Sequence, residues 1–215
     1  MSREDAAGPT GRPRWLRWAE RLQAIAQTGL TYAHDPYDLD RYRELRAIAV
    51  EMVARHLDLP VEAVGAGFAA GAGYPTPKVD VRAAVFRDGR LLLVRERAIA
   101  RWSLPGGWAD LGQSPGEVAA RETLEESGFL VRPVKLLAVL DKSRHRHPPA
   151  VDYVYKLFIR CALEGGEAQT SHETDAVGFF GPDELPELEP GRVTREQVRR
   201  VFEHEADPSL PTDFD

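Results

Sequence analysis

A glycine pair, a helix-capping sequence and three carboxylates follow one another between Gly106 and Gly128, and that order constrains the fold more than any other stretch of the chain. Ser114-Pro115-Gly116-Glu117 has the form of a capping box. Ser114 is the N-cap, Pro115 takes the first helical position, where a missing donor costs nothing, and Glu117 reaches back to the cap. Gly128 supplies the left-handed residue that stops a helix. A helix over 115–127 puts Glu122, Glu125 and Glu126 on one face, because residues three and four apart are neighbours on a helix. Arg121 stands one turn before Glu125 and is placed to hold its carboxylate. Like charges so gathered repel. A solvated helix face would account for the glutamates alone, but loop, cap and the ordered Arg-Glu-x-x-Glu-Glu run together point to oxygen ligands for a hard divalent cation.

Composition narrows the alternatives. The chain has 215 residues, 43% hydrophobic and 29% charged, enough for one domain of ordinary size and a smaller one. A formal charge of -6 argues against a stable complex with nucleic acid, which usually needs a basic face. The single cysteine, Cys161, lies in an apolar run and reads as a core residue, so neither an internal disulfide nor a cysteine zinc site is available. No stretch approaches membrane-spanning length and the amino terminus has no apolar signal core, so a cytoplasmic protein is expected.

Along the chain, residues 1–13 read as a flexible tail. From Arg14 an apolar stripe of Trp15, Trp18, Leu22 and Ile25 predicts a helix that Gly29 stops, with both tryptophans packed in its core. Asp35-Pro36-Tyr37-Asp38 breaks the chain. A second helix carries Tyr42, Leu45, Ala49, Met52, Val53 and His56, and a short third runs from Val61 to Phe68. Residues 14–72 thus form a small helical domain that needs a partner to bury its surface. From residue 73 to 215 the period becomes that of strands. These fall near 79–86, 91–94, 130–141, 151–163 and 176–180, with the capped helix between and a last helix over 194–205. This mixture suggests an α/β/α sandwich around a mixed sheet.

The segment 107–129 resembles the Nudix box. Gly107, Arg121, Glu122, Glu125, Glu126 and Gly128 match it in register, while Gln113, Thr123 and Phe129 depart from it. The likeness extends to Trp15–Tyr32, Asp35-Pro-Tyr-Asp, Pro77–Arg82 and Leu210–Asp215, which resemble a bacterial Nudix group with a helical N-terminal extension. That group includes CDP-choline pyrophosphatases and ADP-ribose pyrophosphatases. The resemblance implies a Nudix α/β/α sandwich, pyrophosphohydrolase activity on a nucleotide, and a homodimer joined through the extension.

Hydrolysing a phosphoanhydride requires neutralised oxygens, an in-line water and a stabilised leaving phosphate. Glu122 and Glu126, one turn apart, are assigned as principal ligands of Mg2+, for which Mn2+ is a substitute, with Glu125 as a third ligand and Arg121 orienting it. The resemblance puts the catalytic base on a loop before the last strand. Glu173 is the first candidate there and Asp175 the second. Arg144 and Arg146, in the basic loop Lys142–Pro149, are candidates for holding the substrate's phosphates, although a solvated hairpin loop explains them as well. Trp108, inside the glycine loop, is a candidate contact for the substrate. Two rival functions remain on the same fold. One is a nucleotide-binding regulator, which retention of the three glutamates disfavours. The other is a hydrolase of RNA-end phosphates, which the acidic balance disfavours.

Overall fold

The structure, a computed structural model, describes residues 13–69, 73–150 and 152–215. Residues 1–12 of the expected tail lie outside the described residues, and Pro13 is the N-cap of the first helix. The chain divides into two compact units. The first extends to Pro77 and takes in Pro149–Tyr153; the second comprises Lys78–Pro148 and Val154–Asp215.

In the first unit, α1 (Arg14–Tyr32) packs against α2 (Pro36–Leu57), and α3 (Val61–Ala69) closes on α2. Gly29 does not stop α1, which runs three residues further. Its lack of a side chain serves a close approach instead, since a Cβ there would run into the ring of Tyr42 on α2. Asp35 is a cap as well as a break. Its carboxylate accepts from the N–H groups of Tyr37 and Asp38, and Pro36 opens α2. The core here is small, built from Leu16, Ala19, Ala49, Val50, Val53, Ala54, Val64 and Phe68. Trp18 is not part of it. It is 51% exposed, whereas Trp15 packs on the core and stacks on His56 at 4.2 Å.

The second unit is built on a mixed sheet. Strands β1 (Lys78–Arg87) and β2 (Arg90–Glu96) form a hairpin whose two turn residues, Asp88 and Gly89, both have positive φ, as a tight primed turn requires. Short β3 (Arg101–Ser103), absent from the sequence reading, pairs with β2. After α4 (Pro115–Ser127) come β4 (Phe129–Asp141) and β5 (Val154–Gly166), and β5 lies parallel to β1 with Asp80 opposite Lys156. β6 (Thr174–Phe180) pairs antiparallel with β2, α5 (Arg195–Ala206) follows, and β7 (Asp213–Phe214) adds to the edge of β4.

Alternation along β1 divides the core. Val81, Ala83 and Val85 pack with Val118 and Ala119 of α4, while Ala84 and Phe86 pack with Val198 and Val201 of α5. The sheet is therefore covered by helix on both faces, which is the α/β/α arrangement. Four consecutive fully buried side chains, Leu91–Val94, follow from it. Each contributes about 1.5–3 kcal/mol relative to an exposed position. Cys161 is fully buried in the same core, and burial pushes its thiol up to about 12.

Candidate active site

Helix α4 begins and ends as its sequence requires. Ser114 and Glu117 make the reciprocal capping bonds, and Gly128 closes the helix at φ 77°. Thr123, at a position where the Nudix pattern has an aliphatic residue, is fully buried with its hydroxyl donating to the Ala119 carbonyl at 2.7 Å, so no polar group is left unmet. α4 presents its acidic face to the glycine loop. A Cβ on Gly106 would run into the Val81 carbonyl, and one on Gly107 would lie 2.5 Å from Oε1 of Glu122. Only glycines let β1, the loop and the helix come this close. The loop is sewn to β1 by Val81 N–H to Gly107 O at 2.9 Å, Ala83 N–H to Pro105 O at 2.8 Å and Ala109 N–H to Val79 O at 2.9 Å.

Glu126 is 8% exposed and accepts from the Gly106 N–H at 2.9 Å. Burial, reinforced by the charges of Glu122 and Glu173, pushes its carboxyl up to about 7. Glu122 is raised too, mainly by burial. Arg121 does more than orient Glu125. It donates from Nη1 to Glu125 at 2.8 Å, from Nη2 to Glu122 at 2.9 Å, and from Nε to Gln113 at 3.3 Å. Gln113 thus steadies the arginine that holds two of the acids.

These groups open on a cavity of about 640 Å³ lined by Gly106, Gly107, Trp108, Arg121, Glu122, Glu125, Glu126 and Glu173. The structure therefore brings together six of the nine side chains singled out from the sequence. Glu173 sits in a turn with Ser171 and Thr174. Ser171 Oγ accepts its N–H at 3.1 Å, and the Thr174 hydroxyl donates to the Glu126 carbonyl at 2.7 Å, tying the turn to α4. Asp175 is engaged elsewhere, paired with Arg95 at 2.7 Å, and the hydrogen bond from that guanidinium holds its carboxyl below the usual carboxylate range. Arg144 and Arg146 are not brought to the cavity. Arg144 is 3.9 Å from Asp141, and Arg146 is 3.7 Å from Glu196 beside a separate hollow. His147 anchors their loop against Pro190 and Gln197, away from α4.

Sequence reasoning missed Glu96, Arg97 and Arg192, which also line the cavity. Arg192 pairs with Glu96 at 2.9 Å. The signal was present at two of these positions, Glu96 and Arg97: charged residues just beyond the buried run Leu91–Val94 mark a strand leaving the core.

Comparison with known proteins finds matches over both parts of the chain. Residues 13–68 match the family described as a UDP-X-like, N-terminal oligomerisation domain, and residues 76–202 match the NUDIX domain. The YjhB protein of Bacillus subtilis, whose name assigns it provisionally to the ADP-ribose pyrophosphatases, is 44% identical over 202 residues, covering 94% of this chain and 97% of its own. A solved structure titled UDP-X diphosphatase is 34% identical with a TM-score of 0.62, over 94% of this chain and 98% of that one. An ADP-ribose pyrophosphatase structure from Streptococcus suis is 42% identical with a TM-score of 0.58, over 65% of this chain and all of its own.

Proposed function

The chain belongs to the Nudix family and is a pyrophosphohydrolase, and from that premise we propose that it cleaves the pyrophosphate bond of a nucleoside diphosphate linked to a further moiety. Water adds to one phosphorus, the bridging P–O bond breaks, and a nucleoside monophosphate leaves with the phosphorylated partner. ADP-ribose is the first candidate, because the 44% identical relative and the 42% identical structure are both named for it. A UDP-linked compound is the second, from the structure that matches nearly the full length. CDP-choline belongs in the same panel on sequence resemblance alone.

The observation that carries this reading is that Glu122, Glu125, Glu126 and Glu173 all line one cavity beside a glycine loop, although among the described residues no three of them close on a common point. The donors on α4 are carboxylate oxygens, which suit Mg2+ or Mn2+. Glu126 is buried with its carboxyl pushed up to about 7, and a cation beside it would hold that carboxylate ionised. Glu122 and Glu126 would hold the ion, with Glu125 beside them. Bound there, a divalent ion supplies charge neutralisation of the phosphate oxygens and lowers the pKa of water. Arg121 keeps Glu122 and Glu125 facing the cavity. Glu173 accepts the proton of the attacking water. Trp108, 43% exposed at the cavity wall, offers a ring for the nucleobase or the linked group. The match of residues 13–68 to an oligomerisation domain supports a homodimer.

The test is a panel of nucleotide-sugars, CDP-alcohols, dinucleotides and nucleoside triphosphates, scored for released monophosphate with Mg2+ and with a chelator. Cleavage of a nucleotide-sugar or CDP-alcohol that stops with the chelator is expected. Binding without hydrolysis, or hydrolysis of triphosphates alone, would overturn the proposal.

A further inference from the structure

Arg97 stands just beyond the end of β2 and lines the same cavity as the acidic face of α4. Its neighbours in that cavity, Arg121 and Arg192, spend their charge on carboxylates, Arg121 on Glu122 and Glu125, Arg192 on Glu96. Among the described residues Arg97 has no carboxylate within ion-pair distance. Its guanidinium carries five donor hydrogens. Two are used by Nη2, which donates to the carbonyls of Ser171 at 2.9 Å and Thr174 at 3.1 Å. The Nε–H and both Nη1 hydrogens have no protein partner among the described residues.

Both carbonyls belong to the turn that carries Glu173. The main chain adds a third tie, Arg97 N–H to the Glu173 carbonyl at 2.8 Å. The far side of the turn is fastened to α4 by the Thr174 hydroxyl on Glu126 O. Glu173 is therefore strung between two anchors, α4 and Arg97, while its own carboxylate is 61% exposed and, among the described residues, is held only by an exposed His172 at 3.3 Å.

We propose that Arg97 binds the substrate's diphosphate with its unused donors and, through the same guanidinium, fixes the turn that places Glu173. A planar guanidinium can grip two carbonyls and an anion at once; a lysine ammonium is a point charge and cannot hold the same geometry. Arg97 is thus a substrate ligand and a positioning residue for the base, a role that rests on the pyrophosphohydrolase reading above.

The experiment uses the purified full chain, with Arg97→Ala, Arg97→Lys, Glu173→Gln and the Arg97→Ala/Glu173→Gln pair. Binding is read by calorimetry with α,β-methylene ADP, which is not cleaved, and turnover with whichever panel compound the unaltered protein hydrolyses. Arg97→Ala should weaken binding at least about tenfold and also lower kcat by about ten- to a hundredfold. Arg97→Lys should recover part of the binding but little of kcat. The double variant should turn over no more slowly than Glu173→Gln, because one loss already contains the other. Unchanged binding in Arg97→Ala, or kcat losses that multiply in the pair, would overturn the proposal. If the unaltered protein hydrolyses nothing, the functional reading fails instead, and the calorimetric arm still decides whether Arg97 is an anion ligand.

Discussion

Glu126 holds the strongest electrostatic conflict in the cavity. Its folded-state carboxyl, at about 7, stands above the ordinary 4.5 because burial disfavours the charge. The protonated side chain's contribution to stability is fully present below about 4.5 and is lost as pH rises through 7. The metal-free protein should therefore melt at progressively lower temperature across that window, and Glu126→Gln should remove this part of the decline. Melting curves in chelator at several pH values check it, and Mg2+ should raise the melting temperature of the unaltered protein at pH 8 far more than that of the variant. Equal pH profiles for the two proteins would contradict the assignment. The acidic face was readable because helix periodicity is local: Arg121, Glu122, Glu125 and Glu126 lie within six residues. The part played by Gln113 was not, since it depends on a guanidinium eight residues away folding back over the helix start.

Elements show where a local signal carries two meanings. Glycine near the end of an apolar stripe reads as a stop, yet Gly29 lies inside α1 facing Tyr42. The two readings predict opposite signs for Gly29→Ala. Helix propensity alone gives about 1 kcal/mol of stabilisation in a helix interior. The collision with Tyr42 should outweigh it and leave the variant destabilised by about 1–3 kcal/mol. Chemical denaturation gives the sign directly, and a stabilised variant would refute the close-packing account. α4 was legible to within a residue because its capping box, Ser114/Glu117, fixes the first turn, and the apolar side of α5 placed that helix as closely, its own box at Thr194/Gln197 emerging in the structure. β3 and β7, three and two residues long, carry too little pattern to be seen and exist because β2 and β4 offer them an edge.

At the scale of the whole molecule, α1 bears a surface that the first unit's core does not use. Trp18, Ile25 and Tyr32 recur every seven residues and are all more than half exposed, the spacing by which one helix faces another. In a chain whose residues 13–68 match an oligomerisation domain, that stripe is the seam we assign to the second copy. The unaltered chain is expected to give a dimer by light scattering and Ile25→Glu a monomer, and a dimer that survives the substitution would move the interface elsewhere. The N-terminal helical region and the layered sheet could be read from changes of period in the sequence. The gathering of the cavity could be read only in part. Glu173 and Arg97 meet α4 through the pairing of β2 with β6, some eighty residues apart in the chain, and Arg144 and Arg146 are carried away by a loop anchored at His147. Crystals grown with Mn2+ and α,β-methylene ADP give the most direct test, because anomalous scattering locates the ion without assumption. The account predicts a manganese peak bonded to carboxylate oxygens of Glu122 and Glu126 and touching the diphosphate; a diphosphate bound away from those carboxylates, or manganese held elsewhere, would contradict it.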